Sequence, residues 1–186
     1  MKTIKFIISV LMIFFSMSGY GQTCKVEFYV LNRIVETIDS SSYTSANFLV
    51  TIDDLAETAF IADSEITSFY IQKYITENNK TLEQHFFIVP KTVIDRINEQ
   101  EIPLCCGKQF ALLVNGNIVY GGYFWNFYSS FGCEGIVAFA FNENILIERK
   151  LPDYGYENEK EEETDMRNNQ NLFDCLKSTD RMKDNE

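Results

Sequence analysis

Five cysteines and a single histidine are the residues of this chain whose types are best suited to covalent chemistry. A thiol nucleophile works with a neighbouring imidazole base, so thiol catalysis would need Cys133 beside His85. The sequence spacing does not test whether they meet, and a lone histidine at the start of a strand is more often structural. A thiol-dependent enzyme or redox protein using Cys133 or Cys105/Cys106 is therefore the alternative hypothesis. No catalytic residue is assigned.

The cysteines are predicted instead to form structural disulfides or buried thiols. Because five is an odd number, at least one cysteine stays outside any intrachain bridge. The adjacent Cys105 and Cys106 would close a strained ring with each other, so each is expected to find a distant partner. The chain geometry favours a bridge from this pair to Cys133. Cys24 and Cys175 then form a second pair or remain thiols.

Metal ligation is the other chemistry that cysteines and acidic residues support. No CxxC or CxxH spacing is present, and Asp53, Asp54 and Glu57 lack the spacing of a calcium-binding loop. A capped helix start explains the acidic residues better than a calcium site does. We therefore predict no metal site and no cofactor.

Residues 1–21 are predicted to be a secretory signal peptide. Lys2 and Lys5 precede an apolar run, and the small residues Gly19 and Gly21 suit a cleavage site after residue 21. The apolar run is shorter than the roughly 20 residues that a membrane-spanning helix needs. The sequence thus predicts an exported protein, periplasmic or secreted, with no membrane span after cleavage.

The charge of the chain restricts its partners. Its formal net charge is −11, and no cluster of Lys and Arg interrupts this excess of acid. Such a charge repels phosphate backbones and anionic membrane surfaces. The expected partner is a protein or another envelope or extracellular macromolecule, with no role for nucleic acid.

The apolar pattern predicts a single α+β domain over residues 22–151, with a mainly antiparallel sheet and one or two packed helices. Val93, Ile94 and Ile97 share one face of a predicted helix at 91–100. Strands are predicted at 24–35, 48–52, 66–75, 85–89, 109–114, 117–124, 136–141 and 145–150.

The clearest local signal is the Asn115-Gly116 pair between two apolar runs, which predicts a hairpin with a two-residue turn. Counting outward from the turn predicts these pairs: Val114–Asn117, Leu113–Ile118, Leu112–Val119, Ala111–Tyr120 and Phe110–Gly121. Both faces of the hairpin are apolar, so it is expected to be covered on both sides.

Residues 152–186 are predicted to be an acidic tail. The charged stretch that begins the tail is typical of a solvated segment. Leu172, Phe173 and Leu176 lie at helical spacing and predict a short amphipathic turn that docks on the domain, where Cys175 could hold it.

An aromatic run follows the hairpin turn and raises the question of a binding surface. Strand alternation places Tyr123, Trp125 and Phe127 on one face and Tyr120 and Phe124 on the other. One set is expected in the core, while the other is a candidate recognition surface because aromatic side chains dominate binding hot spots. We therefore assign binding to Tyr123, Trp125 and Phe127 and predict a non-catalytic binding or accessory domain.

The segment "HFFIVPKTVIDRINEQ…GKQFALLVNGNIV", within residues 85–140, resembles the strand–helix–hairpin unit in the periplasmic head of SecD-type translocase accessory subunits. It is also similar to small uncharacterised secreted bacterial proteins in which such a hairpin precedes "FW" and "SS". This chain departs from the SecD-type pattern in lacking membrane helices and in its "YGGYFW". The resemblance implies a fold and no chemistry.

Overall fold

The computed structural model of the chain describes residues 24–36, 48–76, 79, 81–151 and 165–183. The predicted signal peptide at 1–21 and the acidic stretch at 152–164 lie outside the described residues.

Seven strands and two helices follow one another along the described ranges. In chain order they are β1 (Val26–Val30), β2 (Ser68–Ile75), β3 (Thr81–Ile88), α1 (Lys91–Asn98), β4 (Lys108–Val114), β5 (Asn117–Phe124), β6 (Val137–Phe141), β7 (Asn144–Glu148) and α2 (Gln170–Ser178). Two 3-10 turns, Ile52–Asp54 and Asp63–Glu65, precede β2.

The strands form one sheet in the order β1-β4-β5-β6-β7-β3-β2. Every neighbouring pair is antiparallel except β5 and β6, which are parallel. Parallel neighbours cannot be joined by a tight turn and need a longer crossover, which residues 125–136 provide. The predicted α+β class with a mainly antiparallel sheet in a single domain is confirmed.

The sheet buries apolar side chains on both faces. Strand alternation separates a larger cluster, which includes Phe87 and Ile147 and packs against α1 and α2, from a smaller cluster, which includes Phe86 and Leu146. We call these the helix face and the open face. The predicted two-sided cover of the hairpin follows, because β4 and β5 have buried residues on both faces.

Helix α1 forms where the apolar spacing predicts it. Pro90 occupies the N-cap position with an extended backbone, and Val93, Ile94 and Ile97 are buried on the helix face. Burial of each of these side chains contributes roughly 1.5 to 3 kcal/mol. The helix ends at Asn98, slightly before the predicted residue 100.

The hairpin turn is confirmed, but its register changes partway along. Asn115 and Gly116 both have positive φ, 52° and 77°, and the pairs Val114–Asn117 and Leu113–Ile118 form as predicted. A β-bulge then shifts the pairing by one residue, so that Leu112 lies opposite Tyr120. The predicted pairs Leu112–Val119, Ala111–Tyr120 and Phe110–Gly121 are wrong.

Gly122 is closely packed in the shifted register. The bulge places Gly122 opposite Phe110. A Cβ at this glycine would lie 2.8 Å from the Phe110 Cζ and 2.8 Å from the Ile136 carbonyl oxygen. The ring and the neighbouring strand therefore occupy the space that any larger residue would need.

Replacing Gly122 by alanine is expected to destabilise the domain by about 1 to 3 kcal/mol, because the new methyl group overlaps backbone that cannot move away. Gly121→Ala is the matched control. Its Cβ would lie 3.0 Å from the Phe48 ring, a side chain that can adjust, so a smaller loss is expected. Urea unfolding measures both, and a larger loss for Gly121→Ala would contradict this packing.

Several predicted strand boundaries need correction. No strand forms at 48–52; instead Thr51 and Asp54 make a capping box around the turn Ile52–Asp54. Hydrogen bonds from the Thr51 backbone and hydroxyl to Asp54 Oδ2, 2.8 and 2.7 Å long, favour this turn over an extended chain. Strand β1 ends at Val30 rather than at 35, and β3 begins at Thr81 rather than at 85.

The end of the described chain packs against the sheet as a helix rather than as a single turn. The Asn169 side chain caps α2 by accepting a hydrogen bond from the Leu172 amide. Leu172 and Leu176 are buried on the helix face, while Phe173 packs at its margin. A disulfide joins Cys175 to Cys24, next to β1.

Candidate functional site

The crossover between β5 and β6 carries an ordered turn that we call the aromatic loop, residues 126–131. The Asn126 side chain accepts a hydrogen bond from the Tyr128 amide at 2.9 Å, and the Asn126 carbonyl accepts one from the Ser129 amide at 3.0 Å. The Ser129 hydroxyl donates to the Leu104 carbonyl and accepts from the Phe131 amide at 3.1 Å. These bonds fix the loop without a helix or strand.

The aromatic loop presents large apolar side chains to solvent. Tyr128 is 92% exposed, and Phe127 and Phe131 are each more than half exposed. Leu104, whose carbonyl anchors the loop, is also more than half exposed. We call these four side chains the aromatic patch. Contiguous exposed apolar surface marks contact sites on proteins, whereas single exposed apolar residues are ordinary.

Phe127 links the aromatic patch to the core. Its ring centroid lies 4.9 Å from that of Phe139 and 5.6 Å from that of Phe141, both on the open face. Such ring contacts hold one edge of the loop while leaving the rest accessible. The aromatic patch is therefore anchored to the sheet through the contacts of Phe127.

The structure separates the three predicted binding residues. Phe127 is exposed, but Tyr123 and Trp125 are each 3% exposed and belong to the open-face cluster. The three residues therefore do not form one exposed platform, because residues 48–50 cover β5: the Phe48 ring lies 5.1 Å from that of Tyr123. Whether any of the three binds a partner stays a prediction.

Trp125 lies beneath the aromatic loop at the wall of a cleft of about 390 Å³, which Phe127, Tyr128 and Ile97 also line. Its indole Nε1 is buried and has no hydrogen-bond partner among the described residues. A buried donor without a partner is costly in free energy.

Of the two predicted cysteine pairings, the structure forms only the second, which the sequence left open as an alternative to free thiols. The disulfide is Cys24–Cys175, with a Cα separation of 5.3 Å. Cys105, Cys106 and Cys133 remain thiols, so the predicted bridge from the adjacent pair to Cys133 does not form. The bulge contributes to this result: it moves Gly107, rather than Cys106, against Trp125, where a Cβ on the glycine would lie 2.7 Å from the indole Cε3.

The adjacent thiols instead lie against each other. The Sγ atoms of Cys105 and Cys106 are 3.2 Å apart, and both residues are exposed in the turn before β4. Burial, with the neighbouring Cys105 thiol as a further cause, raises the pKa of Cys106. The arrangement is a surface dithiol, which the sequence analysis set aside because the ring it can form is strained.

The Cys133–His85 pair required for thiol catalysis is not assembled. Cys133 belongs to the open-face cluster, whereas His85 packs against Phe69 and Phe173 on the helix face, so the sheet separates them. Burial raises the pKa of Cys133 to about 12, which keeps the thiol protonated at neutral pH.

His85 lies in a buried polar cluster on the helix face. The residue is fully buried in β3, and burial together with the nearby Arg167 charge lowers its pKa to about 4. Arg167 is also buried; it pairs with Asp165 at 2.7 Å and donates to the Glu83 and Ile147 carbonyls at 2.9 and 3.1 Å. The histidine is therefore neutral at pH 7 beside a paired guanidinium.

Two hydrogen-bonding groups in this cluster lack partners among the described residues. Neither ring nitrogen of His85 has one, and neither does the buried Tyr120 hydroxyl, whose pKa is raised by burial. Sequence reasoning missed the cluster because Arg167 and Asp165 adjoin the acidic stretch that was expected to be solvated. Only the apolar residues of α2 hinted that this segment packs against the sheet.

Comparison with known proteins yields little. No protein family model matches the chain, and no curated protein matches it. A solved structure described as "Crystal structure of SecDF in Super-membrane-facing form" is similar at 12% sequence identity, with a TM-score of 0.40. The similarity covers 69% of this chain and 17% of that one, so this chain spans a small part of the length of the protein it matches.

Two further observations bear on the sequence-based expectations. Across the ranges that the structure describes, no helix combines the length and apolar character required to cross a bilayer. In the same ranges no group of three His, Cys, Asp or Glu side chains is arranged so that it could hold a metal ion.

Proposed function

We propose that this chain is an exported binding domain whose aromatic patch docks a polypeptide of the envelope or the extracellular space. The observation that supports it most is the ordered exposure of Phe127, Tyr128 and Phe131 with Leu104. Aromatic anchors of this kind supply large contact area at low conformational cost, and they are enriched where binding energy concentrates.

The chemistry of the partner follows from the surroundings of the patch. The chain carries a net charge of −11, and the exposed residues Glu101 and Glu134 lie close in sequence to the patch residues. A partner with apolar anchors and flanking Lys or Arg therefore suits the surface, because charge complementarity speeds association and suppresses wrong partners. Export places this partner outside the cytoplasm.

A photo-crosslinking amino acid at position 128 tests the proposal in the native cells. The matched control is position 75, because Ile75 is another exposed apolar residue but lies on β2, at an edge of the sheet. We expect a specific adduct with an envelope or secreted protein from position 128 and none from position 75. Equal adducts from both positions, or a cytoplasmic partner, would overturn the proposal.

Affinity for that crosslinked partner is expected to fall at least about tenfold in Tyr128→Ala, since loss of an anchoring aromatic costs more than about 1.4 kcal/mol. Ile75→Ser should bind as the natural protein does. Titration calorimetry with the purified partner measures both affinities. The free energy of unfolding should be unchanged in Tyr128→Ala because the side chain is 92% exposed. A loss of affinity would then reflect the lost contact with the partner and not unfolding of the domain.

A further inference from the structure

The turn before β4 brings together an exposed dithiol, the anchor of the aromatic loop and the chain's single tryptophan. The Cys105 and Cys106 Sγ atoms are 3.2 Å apart. The preceding residue, Leu104, accepts the Ser129 hydroxyl hydrogen bond that ties down the aromatic loop. The following residue, Gly107, has a φ of 61° and lies against the Trp125 indole.

We propose that Cys105 and Cys106 are a reversible redox site that exchanges with low-molecular-weight disulfides and, through Leu104 and Gly107, changes the conformation of the aromatic loop. The site is distinct from the structural disulfide Cys24–Cys175. The redox chemistry does not depend on the binding function proposed above, because its readouts are thiol state and loop exposure.

Geometry favours a labile bond at this site. The Sγ atoms need to approach by little more than 1 Å to reach the S–S bond length of about 2.05 Å. Adjacent Cα atoms are about 3.8 Å apart, which is shorter than the roughly 4.4 to 6.8 Å that disulfides prefer. The resulting strain makes the bond easier to reduce, and strained or exposed disulfides are the exchangeable ones.

The surroundings make the thiols accessible to a small reagent. Both cysteines are exposed, and Cys106 lines a cleft of about 700 Å³ that lies between residues 31–36 and the start of β4. Cys133, in contrast, is 1% exposed. A disulfide reagent therefore reaches the adjacent pair first.

The exchange proceeds in two balanced steps. The Cys105 thiolate attacks one sulfur of the reagent, the reagent's S–S bond breaks, and one thiol leaves carrying the proton that Cys105 released. Cys106 then attacks the Cys105 sulfur in the mixed disulfide. The Cys105–Cys106 bond forms and the second reagent thiol leaves with the Cys106 proton, so two cysteines are oxidised and one disulfide is reduced.

Formation of the Cys105–Cys106 disulfide is expected to change the conformation of the aromatic loop, because the bond constrains the backbone on both sides of the pair. The Leu104 carbonyl belongs to the peptide bond that enters Cys105, so rotation there weakens the bond from Ser129. Movement of Gly107 alters the packing around Trp125, because the two are in close contact: a Cβ at Gly107 would lie 2.7 Å from the indole Cε3. Oxidation should therefore change tryptophan fluorescence and amide exchange in residues 126–131.

Oxidised glutathione tests the site in the full chain. The mass of the natural protein should fall by two hydrogen atoms with no glutathione adduct. Peptide mapping should place the new disulfide between Cys105 and Cys106. Cys105→Ser and Cys106→Ser should each retain one glutathione at the remaining cysteine, because the resolving thiol is missing. A persistent adduct on the natural protein, or a bond to Cys133, would overturn the proposal.

Graded dithiothreitol and two conformational readouts complete the test. The Cys105–Cys106 bond should be reduced at a dithiothreitol concentration at least about tenfold lower than Cys24–Cys175 requires. Tryptophan fluorescence and amide exchange at 126–131 should change on oxidation in the natural protein and not in Cys105→Ser/Cys106→Ser. Oxidation that leaves both readouts unchanged would overturn the link to the aromatic loop.

Discussion

Replacing both Cys24 and Cys175 by alanine is expected to lower the free energy of unfolding by about 3 to 5 kcal/mol. The bridge joins residues separated by 151 positions, so almost the whole described chain lies within one loop. Cross-linking such a long loop restricts the unfolded chain strongly. Urea unfolding under non-oxidising, non-reducing conditions measures the loss.

The same experiment identifies the bridge among the five cysteines. Dithiothreitol should destabilise the natural protein by a similar amount and leave the Cys24→Ala/Cys175→Ala protein unaffected. Cys105→Ser/Cys106→Ser is the matched control, because those thiols are exposed and lie outside the bridge; its stability should stay within about 0.5 kcal/mol. A natural level of stability in the double alanine variant would show that α2 is held by apolar contacts alone.

The sequence predicted the elements whose conformation depends mainly on residues close together in the chain. Asn115-Gly116 has the positive φ values that a two-residue hairpin turn requires, and the two pairs next to the turn form as counted from it. The spacing of Val93, Ile94 and Ile97 likewise located α1 and its buried face. In both cases the signal and the structure it determines lie within a few residues.

Features that depend on distant packing were not predictable in the same way. The β-bulge shifts the hairpin register between Leu112 and Leu113, and no count along the hairpin from its turn reveals that shift. The disulfide depends on where α2 docks, and α2 is far from Cys24 in sequence. The predicted bridge to Cys133 assumed an unshifted hairpin register and a flexible segment that brings Cys133 back to the Cys105/Cys106 pair. Both assumptions were wrong.

The candidate site was predicted in part. The aromatic run pointed to the segment that contains the exposed aromatic residues, but alternation alone assigned Tyr123 and Trp125 to a surface that residues 48–50 cover. Exposure begins where β5 ends and the turn around Asn126 starts. Strand periodicity cannot describe that turn, so the exposure of Tyr128 and Phe131 became visible only in three dimensions.

Burial of His85 gives this domain a specific sensitivity to acid. The folded state holds the imidazole neutral with a pKa of about 4, whereas the unfolded chain titrates near the ordinary value of 6.5. The unfolded state therefore binds more protons as the pH falls below about 6.5, and stability decreases until the folded pKa is reached. Over the full window the loss amounts to about 3 kcal/mol, at about 1.4 kcal/mol per pH unit.

The neighbouring carboxyl groups titrate at lower pH than the unfolded-state histidine, so their effect on stability can be separated from that of His85. Arg167 disfavours the imidazolium, whereas Asp165 and Glu83 favour it. Both carboxyls have pKa values below their ordinary ones. Hydrogen bonds to Arg167 lower the pKa of Asp165, and hydrogen bonds to Lys73 and Asn168 lower the pKa of Glu83. Their contribution is present above the ordinary carboxyl pKa and is lost only at stronger acidity.

His85→Phe is consequently expected to remove most of the acid sensitivity between about pH 7 and about pH 5, where the natural protein should lose about 2 kcal/mol. Phenylalanine suits the site because the imidazole already packs edge-on against Phe69, with the ring centroids 5.6 Å apart. His85→Gln serves as a second variant without a titrating group. Urea unfolding across this range measures the slopes, and equal slopes in the natural protein and both variants would show that another group carries the proton uptake. A reduced slope in both would mean that the imidazole itself couples folding to pH, because Asp165, Arg167 and Glu83 are present in all three proteins.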